Sequence, residues 1–122
     1  MPLKVGVDLV TTARVKPLID NQLAGFLQQF TANEQLEAAH CHDELLYFTE
    51  RFAAKEAVLK SLNILIKREF FVEIETLNNG FGKPVPHISG SVKEIFTGKK
   101  LQQLDLSLSY ENGFVIAIAV VN

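Results

Sequence analysis

Two charged side chains, Glu56 and Lys60, sit in a run of mostly small and apolar residues, Arg51-Phe52-Ala53-Ala54-Lys55-Glu56-Ala57-Val58-Leu59-Lys60. A helix predicted over 43–63 puts Leu45, Phe48, Phe52 and Leu59 on one face, widened by Leu46, Ala53 and Ala57. Glu56 then falls in the middle of that apolar arc, with Lys60 one turn later on the same side. A carboxylate turned toward a core loses hydration, so an ion, a proton or a partner charge must compensate. An ordinary i,i+4 Glu–Lys surface pair contributes about 0.2–0.5 kcal/mol. It accounts for the spacing but not for the face.

Asp8 is a third charge in an unusual place. Alternation predicts a strand over 4–10, with Val5, Val7 and Leu9 on one face and Gly6, Asp8 and Val10 on the other. Aspartate is depleted in strand interiors, and Gly6 beside it leaves room for something to approach closely. Either Asp8 is a carboxylate at work in mid-strand, or it ends a short strand and caps the turn at Thr11-Thr12. The residue types leave both open. Two carboxylates and an ammonium suit a structural ion network. They equally suit a divalent metal held against phosphates, because Mg²⁺ takes one or two carboxylates, waters and phosphate oxygens. Lysine adds a point charge for the same oxygens.

The elements that must position these groups follow from the rest of the pattern. Over 12–29, Val15, Leu18, Ile19, Leu23, Phe26 and Leu27 recur at helical spacing, while Pro17 and Gly25 limit any single helix. Thr31-Ala32-Asn33-Glu34 is a capping box that starts a short helix ending near residue 40. His40-Cys41-His42 reads as a linker, with Asp43 capping the next helix; three consecutive residues do not converge on one tetrahedral ion. Alternation predicts a strand over 70–77, a turn over 78–84 and an extended segment over 85–88. An amphipathic helix over 89–97 turns Val92, Ile95 and Phe96 inward. Strands over 104–110 and 114–121 flank a hairpin signal, Glu111-Asn112-Gly113. The last strand is continuously apolar and therefore central. The expectation is an α+β fold, a mostly antiparallel sheet packed on one long helix, with 1–122 as a single domain.

Composition narrows the function classes. The chain has 122 residues, 48% of them hydrophobic, and a net charge of −2. That is enough for a real core, and it provides no general attraction to nucleic acid or an anionic membrane. An acidic partner could be held only through a local cluster of cations. No apolar run approaches the roughly 18 residues of a membrane span. The first residues lack the apolar region of a signal peptide, and one cysteine forms no internal disulfide. A cytoplasmic location is expected.

Gly6-Val7-Asp8, followed about fifty residues later by Arg51-Phe52-Ala53-Ala54-Lys55-Glu56-Ala57 and then Lys60, resembles the holo-acyl-carrier-protein synthases. These are the short members of the 4′-phosphopantetheinyl transferase superfamily. Arg14, the run Phe30-Thr31-Ala32-Asn33-Glu34 and Gly82-Lys83-Pro84 match in the same order, and the similarity spans nearly the whole chain. The resemblance implies transfer of the 4′-phosphopantetheine arm of coenzyme A to a serine of an apo acyl carrier protein, releasing adenosine 3′,5′-bisphosphate.

By match, Asp8 and Glu56 would bind Mg²⁺, and Lys60 would neutralise charge on the phosphoryl oxygens. Glu56 would also take the serine proton. Lys83, Pro84 and Arg51 would lie close to the coenzyme. Arg14, with Lys16, would contact the acidic carrier. A homotrimer with sites between subunits is implied too, and would account for surplus apolar surface on the final strands. Ser109-Tyr110 stands where the family carries Ser-His beside the coenzyme, and no glycine follows the long helix at 61–66, where the family has a glycine-rich turn. These departures motivate an alternative, a divergent paralogue that binds coenzyme A or a carrier protein and transfers slowly or not at all. A small assembly module with a purely structural charge network is a third reading.

Overall fold

The computed structural model describes residues 3–122; Met1 and Pro2 lie outside them. In chain order the elements are strand β1 (Lys4–Thr11), helices α1 (Thr12–Leu27), α2 (Ala32–Ala39) and α3 (Glu44–Ser61), and a 3₁₀ helix (Arg68–Glu73). Strands β2 (Ile74–Asn78) and β3 (Pro84–Ile88), helix α4 (Gly90–Gly98), and strands β4 (Leu104–Glu111) and β5 (Phe114–Val121) complete it. The architecture is the expected α+β one, with the strands divided between an antiparallel β1-β5-β4 sheet and a separate β2-β3 hairpin.

Helix α3 begins where Asp43 accepts a hydrogen bond from the Leu46 amide at 3.0 Å. It ends in a Schellman pattern: the Ile64 amide donates to the Leu59 carbonyl at 3.0 Å and the Asn63 amide to the Lys60 carbonyl at 3.1 Å. Asn63 takes the left-handed position at φ 57°. Glycine is the usual occupant, and asparagine is the L-residue that tolerates it best. The glycine-poor segment thus closes the helix by the ordinary route.

The helix is buried on almost every side. Between Arg51 and Ser61 only Glu56 and Lys60 escape full burial. This corrects the single apolar arc expected for α3. Glu56 lies at the one open margin of an otherwise enclosed helix, and Lys60 is exposed. The cause is a sandwich: α3 packs on the inner face of β1 and β5, while α1, α2 and the β2 segment cover its other sides.

Gly6 sets how close the sheet comes. A Cβ there would run into the Ala57 carbonyl oxygen and the Ser61 amide nitrogen. Small residues face each other throughout this contact, with Ala53, Ala54 and Ala57 on α3 and Ala117 and Ala119 on β5, all fully buried. The space that Gly6 leaves is therefore filled by helix backbone.

The opposite sheet face is uncovered. Val5, Val7, Leu9, Phe114, Ile116 and Ile118 are each between 39% and 56% exposed. The register aligns Val7 with Ile118, Leu9 with Ile116 and Thr11 with Phe114, so these side chains form one continuous apolar patch. Strand β5 is central as expected, and the hairpin before it turns on Asn112 (φ 50°) and Gly113 (φ 80°), the two positive φ values of a type I′ turn.

Two segments differ from the sequence reading. Residues 12–27 are two helices joined at a kink at Gln22 (φ −140°, ψ 42°), so no single helix spans them, as expected, but the break falls at neither Pro17 nor Gly25. Residues 70–73, expected to begin a strand, belong instead to the 3₁₀ helix over 68–73. There the ring of Phe71 packs 5.4 Å from that of Phe52, and the carbonyls of Phe71 and Ile74 both turn to the ammonium of Lys55. Lys55 is fully buried and paired with Glu34 at 2.8 Å. The other Glu34 oxygen accepts from the Thr76 amide at 2.9 Å. Burial pulls the Lys55 ammonium below its ordinary range, and Glu34 works against that. Thus Glu34 both closes its capping box and anchors the core charge.

Gly6→Ala should force β1 away from α3. Overpacking of this kind costs about 3 kcal/mol, or roughly 10 °C in melting temperature for a chain of this size. Thermal unfolding followed by circular dichroism measures it; an unchanged midpoint contradicts the close contact.

Candidate active site

The contact at Gly6 determines what lies two residues on. Asp8 shares the inner face of β1 with Gly6, is 6% exposed, and meets α3 where Glu56 and Lys60 open to solvent. Lys60 Nζ donates to Asp8 Oδ1 at 3.0 Å and to the Val7 carbonyl at 3.1 Å. Asp8 Oδ2 is buried without any hydrogen-bond partner. Asp8 is therefore a mid-strand carboxylate, and the cap on the following helix comes from Thr11, whose hydroxyl accepts from the Arg14 amide at 3.1 Å. Three residues separated by about fifty positions thus converge, and the sequence had singled out all three.

The electrostatics are those of two carboxylates at one point. The Glu56 carboxyl is pushed up to about 7. Burial is the largest cause, followed by the adjacent Asp8 carboxylate; Arg14 and Lys60 pull the other way. Asp8 Oδ2 and the raised Glu56 together want a positive charge that the chain does not fully supply. No group of three or more His, Cys, Asp or Glu able to hold a metal occurs among the described residues. An ion here would therefore have two protein carboxylates and take its other ligands from water or substrate, a set suited to Mg²⁺ and phosphate oxygens.

Glu56 also lines a cleft of about 370 Å³. It is lined by Arg14, Leu18, Gln22 and Phe26 of α1, by Phe52 of α3, and by Ile66, Arg68 and Phe71 from the segment after α3. Arg14 lies over the Phe52 ring, 5.7 Å from its centre. Lys16 is on the exposed side of α1 and is tied to Asp20 at 2.7 Å. Arg68 is the charged cleft residue that the sequence reading did not pick out. Its only signal was a Lys67-Arg68 pair after the helix, indistinguishable from surface charge.

The remaining candidates lie elsewhere. Arg51 is 2% exposed, bonded to Glu37 at 3.1 Å and Asn78 at 2.9 Å, with its guanidinium 4.3 Å from the centre of the Tyr47 ring. It pins α2 and the β2-β3 hairpin to α3. Lys83 and Pro84 are at the hairpin turn, where Lys83 reaches Asp105 at 3.5 Å. Ser109 and Tyr110 are on β4, opposite Ile116 and Val115 of β5. Strand β4 is the sheet edge remote from β1, two inter-strand spacings or about 10 Å from Asp8's strand. The chain brings Asp8, Glu56, Lys60 and Arg14 together and leaves Lys83, Pro84, Ser109 and Tyr110 apart from them.

The family model of the 4′-phosphopantetheinyl transferase superfamily matches residues 4–119. A holo-[acyl-carrier-protein] synthase of Ruminiclostridium cellulolyticum is 34% identical, with 100% of this chain and 93% of that protein covered. One from Protochlamydia amoebophila is 33% identical, with 98% of each covered. Among solved structures, the Helicobacter pylori holo-[acyl-carrier-protein] synthase in complex with coenzyme A superposes with a TM-score of 0.82 at 30% identity, covering 97% of this chain and 99% of that one. The Neisseria meningitidis synthase gives 0.88 at 26% identity, covering 98% and 97%.

The raised Glu56 carboxyl gives a pH signature. Its folded value of about 7 lies above the ordinary 4.5, so the folded state holds this proton more tightly than the unfolded one. Stability from that proton is complete below about 4.5 and is lost as pH rises through 7. In chelator, Glu56→Gln should melt increasingly above the parent between pH 4.5 and 7, with the gap constant beyond. Added Mg²⁺ should close the gap by stabilising the parent alone. A gap independent of pH would contradict the paired-carboxylate reading.

Proposed function

This chain belongs to the 4′-phosphopantetheinyl transferase superfamily, and we propose from that premise how its residues carry the reaction. It is a holo-[acyl-carrier-protein] synthase: it transfers 4′-phosphopantetheine from coenzyme A to a serine of an apo acyl carrier protein. The observation that carries this reading is the convergence of Asp8, Glu56 and Lys60, with Glu56 lining a cleft.

Asp8 and Glu56 would hold Mg²⁺, which when bound supplies positive charge to the pyrophosphate oxygens. Lys60 has three N–H donors and uses two, on Val7 and Asp8; the third is available for a phosphate oxygen. Because Lys60 is half-exposed, it can meet an incoming phosphate without uncovering a buried charge. Glu56, beside the position of the ion, is the carboxylate placed to receive the serine proton. Negative charge grows on the 5′-phosphate oxygens of the leaving adenosine 3′,5′-bisphosphate, and Lys60 is placed to stabilise it.

The second half of the site lies on Lys83, Pro84, Ser109 and Tyr110, where the adenosine part of coenzyme A is held. Tyr110 is 47% exposed and donates one hydrogen bond where a histidine could carry a charge. One chain keeps these residues apart from Asp8, so a complete site forms between copies. The apolar patch of Val5, Val7, Leu9, Phe114, Ile116 and Ile118 is of the kind that oligomers bury. A homotrimer is the assembly proposed. No helix among the described residues is long and apolar enough to cross a membrane.

Two measurements test the reading. With coenzyme A, Mg²⁺ and an apo carrier, the carrier should gain the mass of one phosphopantetheine. Asp8→Ala and Glu56→Ala should each lower the rate by at least about 10³-fold, with the melting transition retained. Turnover unchanged in either variant refutes the assignment. Sedimentation should give three copies per particle, and Ile116→Asp should give monomers that transfer nothing; an active monomer sinks the composite site.

A further inference from the structure

Of Lys83, Pro84, Ser109 and Tyr110, the residues assigned above to the nucleotide end of coenzyme A, Lys83 alone carries a charge. A carboxylate of the same chain already faces it. Lys83 closes the turn between β2 and β3: the Asn79 amide donates to its carbonyl at 2.8 Å, and Asn79 Oδ1 accepts from its amide at 3.0 Å. Its ammonium reaches across to β4, where Asp105 Oδ1 lies 3.5 Å away. Asp105 is held by its own strand, because the same oxygen accepts from the Leu106 amide at 2.8 Å. Alternation along β4 puts Asp105 on one sheet face with Ser107 and Ser109. Lys83, Asp105 and Ser107 line one groove of about 510 Å³, together with Gln103, Ile118 and Val120. Both members of the ion pair are exposed.

We propose that Asp105 is an internal counter-ion: it competes with the phosphates of coenzyme A for the Lys83 ammonium and recovers it as adenosine 3′,5′-bisphosphate leaves. This rests on the function proposed above, which puts the nucleotide at Lys83. An exposed ion pair is weak, since water solvates both partners and a long side chain loses freedom in holding it. At 3.5 Å the pair is also longer than a charge-assisted hydrogen bond of about 2.7–2.9 Å. A phosphate, with more charge and more acceptor oxygens, therefore takes the ammonium from the carboxylate. Every nucleotide that binds at Lys83 must first part it from Asp105, and the Leu106 amide keeps the carboxylate in place to compete. Affinity falls for the substrate and for the leaving nucleotide alike. The bisphosphate keeps phosphates by which coenzyme A was bound, so a site that grips one grips the other. Grip of that shared kind does not speed the chemical step; loosening it speeds release.

Steady-state transfer and calorimetric titration with adenosine 3′,5′-bisphosphate, both on the full chain in Mg²⁺, test this. Asp105→Asn keeps the shape of the side chain and removes its charge. It should lower the KM for coenzyme A and the Kd for the bisphosphate each about threefold, the scale of one exposed ion pair. The gain should shrink with added salt, which screens the pair in the parent. In a Lys83→Ala background the same change should move neither constant by more than about 1.5-fold, because the ammonium that the two anions contest is gone. A purely structural role for Asp105 would not depend on Lys83 in this way. Nucleotide constants that stay or rise in Asp105→Asn overturn the inference, while transfer by the parent leaves the proposed function intact. A gain of the same size in the Lys83→Ala background overturns it too, and assigns the effect to general repulsion. A parent chain that neither transfers nor binds the bisphosphate overturns both.

Discussion

Everything at the site depends on how closely a strand can lie against a helix. At Gly6 the sheet and α3 meet backbone to backbone, since a single methyl group would strike Ala57 and Ser61. The alanines of α3 and β5 extend that closeness to either side. Two residues further along β1, the same closeness puts a carboxylate beside Glu56 and Lys60. A looser contact would leave Asp8 facing water and Glu56 an ordinary acid. The chemistry is thus made by packing, and the residue with no side chain decides where three charged ones meet.

A second constraint works from the other side of the helix. Lys55 and Glu56 are adjacent in sequence, yet the helical advance of about 100° per residue sends them to different surroundings. Lys55 enters the core, where Glu34 and the carbonyls of Phe71 and Ile74 take all three of its N–H donors. Those bonds fix the rotation of α3 and hold the segment after it in a 3₁₀ helix. Glu56 is consequently held at the margin with a fixed aim. One residue of the pair is structural and fully satisfied; its neighbour is left wanting a charge.

Much of this was legible in the residues themselves. Asp8 was conspicuous because strands avoid aspartate, and Glu56 because it interrupted an apolar run. The capping box at Thr31, the Asp43 cap and the Asn112-Gly113 turn are local chemistry, and each appears where its residues dictate. Less legible was anything set by a distant partner. Alternation over 70–77 predicts a strand, but the buried ammonium of Lys55 demands two carbonyls from that stretch, and the backbone coils to provide them. The wheel for α3 assumed one wet face, while tertiary packing covers nearly all of it. Arg51 stood in the most informative motif and serves to pin elements together through Glu37 and Asn78. Asn63 shows the reverse: a missing glycine signalled an altered loop, yet an asparagine took up the same left-handed turn.

The charge sealed in the core also bears on how such chains can drift. Removing one member of a buried pair strands the other, at about 3–5 kcal/mol, against a total stability of about 5–15 kcal/mol for a domain. Replacing both with well-packed apolar residues avoids the lone charge but leaves the Thr76 amide and the carbonyls of Phe71 and Ile74 without these partners. Positions 34 and 55 are therefore tied across 21 residues of sequence: among descendants of this chain they should be kept together or exchanged together, and a lineage that loses one will be found to have lost its partner.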